Sequence, residues 1–264
     1  MLNALKSASK NPILQSAGKT AVLLSVIFFI DNFWWSAALF ILFAFYFYRR
    51  GVTGDISLSH SFFVFLGIVL VSRWFIPLEA PLLTGFIVQN WFFGMIIILS
   101  GLSFFIILGL KNLLFLKRSL FYHFLNNFLF LSAFLIFFFL ANPDFFWLKY
   151  LAIIAAMYCL FKEFLLLLPK FSEEKSLIMP ISKKKAALFA LCLAFLASQL
   201  LWANSLLPIG FLNSSAIMMV IVLIFKDLTA NYFIGLLNKR LVLKNITIFV
   251  IFTLIIFMAS KWAL

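Results

Sequence analysis

The chain has 264 residues, of which 66% are hydrophobic and 11% charged, and its formal net charge is +13. A water-soluble domain carries about 25% charged residues, so this composition excludes a soluble globule and makes lipid the solvent that suits it. The cations are scattered between apolar runs rather than gathered in one polar region, so they do not indicate a nucleic-acid partner; they suit membrane topology and attraction to anionic lipid headgroups.

Apolar runs near twenty residues recur along the whole length, and stretches such as "FLFLSAFLIFFFLA" do not alternate as a transmembrane barrel would. Helices satisfy their own backbone groups in lipid. The expected fold is therefore all-α: a polytopic integral membrane protein with a bundle of about nine transmembrane helices and a cytosolic N-terminus. It forms one transmembrane domain over 1–264, with no separate soluble domain. The expected spans are 12–30, 33–48, 58–77, 85–110, 119–141, 145–168, 186–206, 213–237 and 245–261.

The first span is the weakest, with Gln15 and Lys19 beside a short apolar core. Read as a cleaved signal peptide, it would be cut near Ala37, inside the next apolar run, so it reads as a retained helix. Joining 20–48 into one helix would give eight spans. It would also leave Lys6, Lys10 and Lys19 opposite Arg49 and Arg50, against the usual bias of basic residues. Nine is preferred.

Charge placement sets the expected orientation. With the N-terminus inside, the inner segments hold Lys6 and Lys10, then Arg49 and Arg50, then Lys111, Lys117 and Arg118. Lys170, Lys175 and Lys183 to Lys185 follow, and Lys239, Arg240 and Lys244 close the series, making fifteen of the 21 basic residues. The outer turns 31–32, 78–84, 142–144 and 207–212 hold no basic residue; they carry Asp31, Glu79 and Asp144 instead. All seven Trp fall near outer ends, at headgroup depth. The stretch 169–185, "PKFSEEKSLIMPISKKK", is the longest cytosolic loop. Lys exceeds Arg and Phe reaches 38 residues, a bias of AT-rich, bacterial genomes that suggests the cell (inner) membrane.

Isolated polar residues have plain readings. Arg73 and Lys149 are expected to snorkel to the outer surface. Gly94, Gly101 and Gly109, seven and eight residues apart on the fourth span, suggest close helix packing.

The Lys226–Asp227 pair is different. "NSS" at 213–215 reads as a helix start, and Asn213 to Phe225 covers only about 20 Å, short of the roughly 30 Å hydrocarbon core. The helix is expected to continue, placing both charges inside the bilayer. The alternative ends it at Phe225 and lays 226–244 on the cytosolic surface. In the embedded reading Asp227, Asn231, Ile234 and Asn238 share a stripe that faces the bundle. A charge at mid-membrane costs about 2.5–3.5 kcal/mol and requires a partner. Spans five and six offer His123, Asn126, Asn127, Lys162 and Glu163 at similar depth. The candidate substrate-binding cluster is therefore His123, Asn126, Asn127, Lys162, Glu163, Lys226, Asp227 and Asn231, held by pairing Lys162 with Asp227 or Glu163 with Lys226. The plainer reading is that these amides only fasten helices, at about 0.6 kcal/mol per contact.

No DxxxD pair for a metal-bound diphosphate, HExxH, GxSxG or Walker loop occurs, and Cys159 and Cys192 sit apart in apolar runs. No cofactor and no metal are expected, and catalysis is the least favoured class. Two functions remain. One is transport or translocation of a small or lipid-linked substrate through the polar cluster. The other is a non-catalytic subunit packed against membrane-protein partners.

Overall fold

The computed structural model describes residues 12–29, 33–49, 58–79, 86–112, 114–115, 117–140, 146–171 and 181–259. Among these residues the structure is all helix: α1 (Pro12–Phe29), α2 (Phe33–Arg49), α3 (Ser59–Glu79), α4 (Phe86–Lys111), α5 (Arg118–Phe139), α6 (Phe146–Phe171), α7 (Lys183–Ser205), α8 (Phe211–Ile234) and α9 (Lys239–Ala259). Five of them, α5 to α9, are long and apolar enough to cross a membrane. In α1 to α4 the apolar stretches counted over described side chains are Pro12–Ile27, Phe33–Arg49, Ser59–Arg73 and Ile98–Lys111. The chain divides into two compact units, Met1–Leu125 and Asn126–Leu264, with the boundary inside α5.

In the first unit α1 packs on α2 and α4, and α3 packs on α4 and α2, so the four helices close a ring. Aromatic side chains fill it. Phe65 stacks on Phe104 with centroids 5.5 Å apart, and Tyr48 stacks on Phe62 at 4.2 Å. At Gly101 a Cβ would come within 2.8 Å of Leu24 Cδ1, so α1 and α4 touch there because that side chain is absent. At Gly109 a Cβ would strike the Phe115 ring. The surroundings of Gly94 lie outside the described residues.

In the second unit α8 is the hub, packing on α6, α7 and α9 and meeting α5 where Phe139 touches Phe211 edge-on at 5.7 Å. The buried face of α7 includes Ala186, Ala190, Ala194 and Ala197, all at most 2% exposed. Small residues let backbones approach closely in lipid, where no hydrophobic force joins helices. The opposite face exposes Leu188, Leu191, Phe195 and Leu196, and α9 exposes Leu243, Leu254, Ile255 and Met258. In water these faces would associate; against acyl chains they are the solvated surface.

Contacts fix the directions. Phe189 near the start of α7 meets Phe233 near the end of α8, at 5.1 Å. Asn204 near the end of α7 donates to the Ser214 carbonyl near the start of α8, at 2.9 Å. Lys183 to Lys185 and Lys239–Arg240 therefore sit at one end of the unit, all exposed. Trp202 sits at the other end, 55% exposed.

Several boundaries differ from the sequence reading. The "NSS" residues do not cap α8: the helix begins at Phe211 after Gly210, and Ser215 Oγ donates back to the Phe211 carbonyl at 2.7 Å. The end comes at Ile234 because Gly235 adopts the left-handed conformation, φ 77°. There its N–H reaches the Tyr232 carbonyl and the Leu236 N–H reaches that of Asn231, the usual glycine-closed helix end. Asn238 then caps α9, its Oδ1 accepting from the Leu241 N–H at 2.8 Å. The last helix therefore starts at Lys239, six residues before the expected 245, and 235–238 is the whole connection. Most of 169–185 falls on 172–180, outside the described residues.

Candidate functional site

Cations on these helices differ in what they meet. Three of them cap carbonyls at helix ends, where the macrodipole favours positive charge. Arg73 Nε donates to the Ile27 carbonyl in the last turn of α1, at 3.2 Å. Lys111 donates to the Tyr48 carbonyl near the end of α2 and lies 3.9 Å from that ring's centroid. Lys149 donates to the Leu140 carbonyl just after α5, at 2.7 Å. These are structural fastenings, and Arg73 turns to a neighbouring helix rather than simply outward.

Lys226 is different. It lies on α8 about 12 Å of helical rise before Ile234, and it is 5% exposed. Its ammonium donates to Asn126 Oδ1 at 2.7 Å and to Asn127 Oδ1 at 2.5 Å. The Phe164 and Phe130 rings stand 4.8 and 6.0 Å away, in the range of cation–π attraction. Asn126 is fully buried, and its Nδ2 donates to the Leu160 carbonyl of α6 at 3.3 Å. One side chain thus links α5 to both α6 and α8. Among the described residues no carboxylate is a partner of Lys226.

The local reason for this placement lies in the α8 sequence. Ser215, Met218, Val222, Lys226 and Thr229 follow steps of three and four, and all are buried. Successive helical residues point about 100° apart, so Asp227 cannot share that face, and it is exposed. The stripe drawn through Asp227 is therefore corrected: it faces outward, toward α9. Asp227 accepts from Asn231 Nδ2 at 3.1 Å on one oxygen and from Asn245 Nδ2 of α9 at 2.8 Å on the other. Asn245 is 6% exposed. Neither expected ion pair forms: Lys162 lies over the Tyr158 ring at 5.4 Å, and Lys226 meets amides instead of Glu163. The alternative in which the helix stops at Phe225 is also overturned, since α8 runs on to Ile234.

The eight candidates thus separate. Asn126, Asn127 and Lys226 form one group, and Asp227 and Asn231 form a second with Asn245. Glu163 is buried at 1% exposure on α6, next to the Phe164 that faces Lys226. His123 is half-buried beside the Tyr122 ring on α5, one turn before Asn126 and Asn127. Sequence reasoning missed Asn245, Phe130 and Phe164. Asn245 carried a signal, being the one carboxamide in α9.

The Lys226 group offers hydrogen-bond donors. An ammonium has three N–H bonds, and two go to the amide oxygens. Asn127 is half-buried and its Nδ2 donates to no described protein group. No cluster of three or more metal-ligating side chains occurs among the described residues. Compared with family models, curated proteins and solved structures, the chain matches none.

Proposed function

We propose that this is a multi-pass membrane protein that transports or translocates a small or lipid-linked substrate, and that Lys226 with Asn126 and Asn127 handles it in the half of the bundle nearer the basic end. The observation that carries this reading is a lysine at 5% exposure, inside an apolar helical unit, with neutral partners only among the described residues. Ionisable groups inside a membrane are costly, and they are candidates for function by default. In this reading all nine helices cross the cell membrane and the basic end faces the cytosol, in keeping with the bias of Lys and Arg toward that side. Membrane protein partners and anionic lipids meet its outer faces.

The test is water access. In a chain with Cys159 and Cys192 replaced by Ala, cysteine at position 127 or 231 reacts with a membrane-impermeant thiol reagent added from the basic side. Folded protein in which neither position reacts would refute the transport reading. One observation favours the alternative, a non-catalytic subunit: the bonds of Asn126 to both Leu160 and Lys226 tie three helices together. That alternative predicts unreactive cysteines and unchanged function when Lys226 is replaced by Gln.

A further inference from the structure

We infer that Lys226 and Asn127 form an anion site for a phosphate group, so that the substrate moved by this protein is a phosphorylated one; the identification of the substrate rests on the transport reading above. Two donors carry the argument. Lys226 Nζ keeps one N–H after satisfying Asn126 and Asn127. Asn127 Nδ2 lies at the far end of the amide whose oxygen Nζ touches. The two nitrogens are thus separated by no more than one hydrogen bond and the width of one amide. Two oxygens of a single phosphate can each accept from one of them. Lysine is a frequent phosphate ligand, acting as a point charge.

The surroundings supply the sign and the route. The partners of the ammonium are two amide oxygens and two ring faces, so its charge is solvated but not neutralised. An arriving anion meets no carboxylate among the described partners of Lys226. Lys183, Lys184, Lys185, Lys239 and Arg240, all exposed, stand at the end of the unit nearer Lys226. A basic rim above a buried cation concentrates anions at the entrance and draws them inward. Asn127 is the half-buried member of the group and so marks the side from which the site is reached.

The phosphate can belong to a lipid headgroup or to a soluble ester, and the experiment separates them. The full chain is placed in phosphatidylcholine nanodiscs. It is titrated in one arm with phosphatidic acid in the bilayer, and in the other with inorganic phosphate in the buffer. Retained lipid is read by native mass spectrometry and phosphate by phosphorus NMR line broadening. Saturable binding in the first arm assigns a lipid-borne phosphate, and in the second a soluble one. Either result supports the site when Lys226→Gln weakens it at least tenfold. Gln is one bond shorter but keeps N–H donors while removing the charge, and an unchanged melting temperature verifies its fold. Where that variant does not fold, Asn127→Leu serves, with an expected loss of several-fold. Wild-type protein that binds neither probe, or Lys226→Gln that binds like wild type, overturns the inference. A reactive Asn127→Cys variant, with no phosphate binding by the wild type, leaves transport standing and removes the anion site. Phosphate binding with unreactive cysteines removes transport and keeps the site.

Discussion

The bond between Lys226 and Asn126 can be weighed by a double-mutant cycle. Lys226→Met alone has two opposed effects. It removes a cation whose burial in a membrane costs about 2.5–3.5 kcal/mol on insertion scales. It also orphans the Oδ1 atoms of Asn126, fully buried, and Asn127, and losing a bond to a charged group costs about 1.5–3 kcal/mol. With two such bonds lost the cost is about 3–6 kcal/mol, so the single variant nets roughly −0.5 to 3.5 kcal/mol and does not isolate the bond to Asn126. Asn126→Leu loses its bonds to Lys226 and to the Leu160 carbonyl. At about 0.6–1.7 kcal/mol for each membrane hydrogen bond, the expected loss is roughly 1–3 kcal/mol. Once Met stands at 226, Asn126→Leu forfeits only the Leu160 bond. The cycle should return a coupling of about 1 kcal/mol, a fivefold change in the folding equilibrium. The assay is reversible unfolding in mixed micelles of denaturing and mild detergent. Additivity within about 0.3 kcal/mol would show that no such bond contributes and would remove the structural basis of the site.

Other outcomes follow from the same geometry. Gly235→Ala forces φ 77° on a residue with a Cβ and should cost about 1 kcal/mol, Gly235→Asn less, by the same unfolding assay; equal stability of all three would mean the α8 end is closed otherwise. Ala194→Leu, at 2% exposure on α7, should cost about 1–3 kcal/mol by overpacking, whereas Leu191→Ala, on the exposed face, should change stability by less than about 0.5 kcal/mol. Reporter tags fused after Tyr48 and after Asn142 should report opposite sides of the membrane; the same side for both would break the nine-span layout.

The helices were legible because lipid imposes a length and a polarity that composition reveals directly. Lys226 and Asp227 were legible as an anomaly, since charges inside a 24-residue apolar helix stand out. Their facing was not. Adjacent residues diverge by about 100°, and the polar stripe through Asp227, Asn231, Ile234 and Asn238 draws the eye away from the face of Lys226. The small residues Ser215 and Thr229, in register with Lys226, were the better guide to the packed side. The pairing was missed for a related reason. Opposite charges were matched by sign, whereas the structure answers the cation with two amides on α5 and the carboxylate with an amide on α9. Asn238 falls on that stripe in the sequence because nothing in an apolar pattern marks a left-handed glycine three residues earlier as the end of the rod.

The short link between α8 and α9 bears on how the protein is made. Gly235 closes one helix, Asn238 opens the next, and two turns back from the bend Asn245 holds the carboxylate of Asp227. The pair thus carries its own fastenings at the tip and answers its own acid with an amide. Such a hairpin can enter the bilayer as one piece with the Asp227 carboxylate already hydrogen-bonded, and Lys226 is left to find its amides when α5 joins.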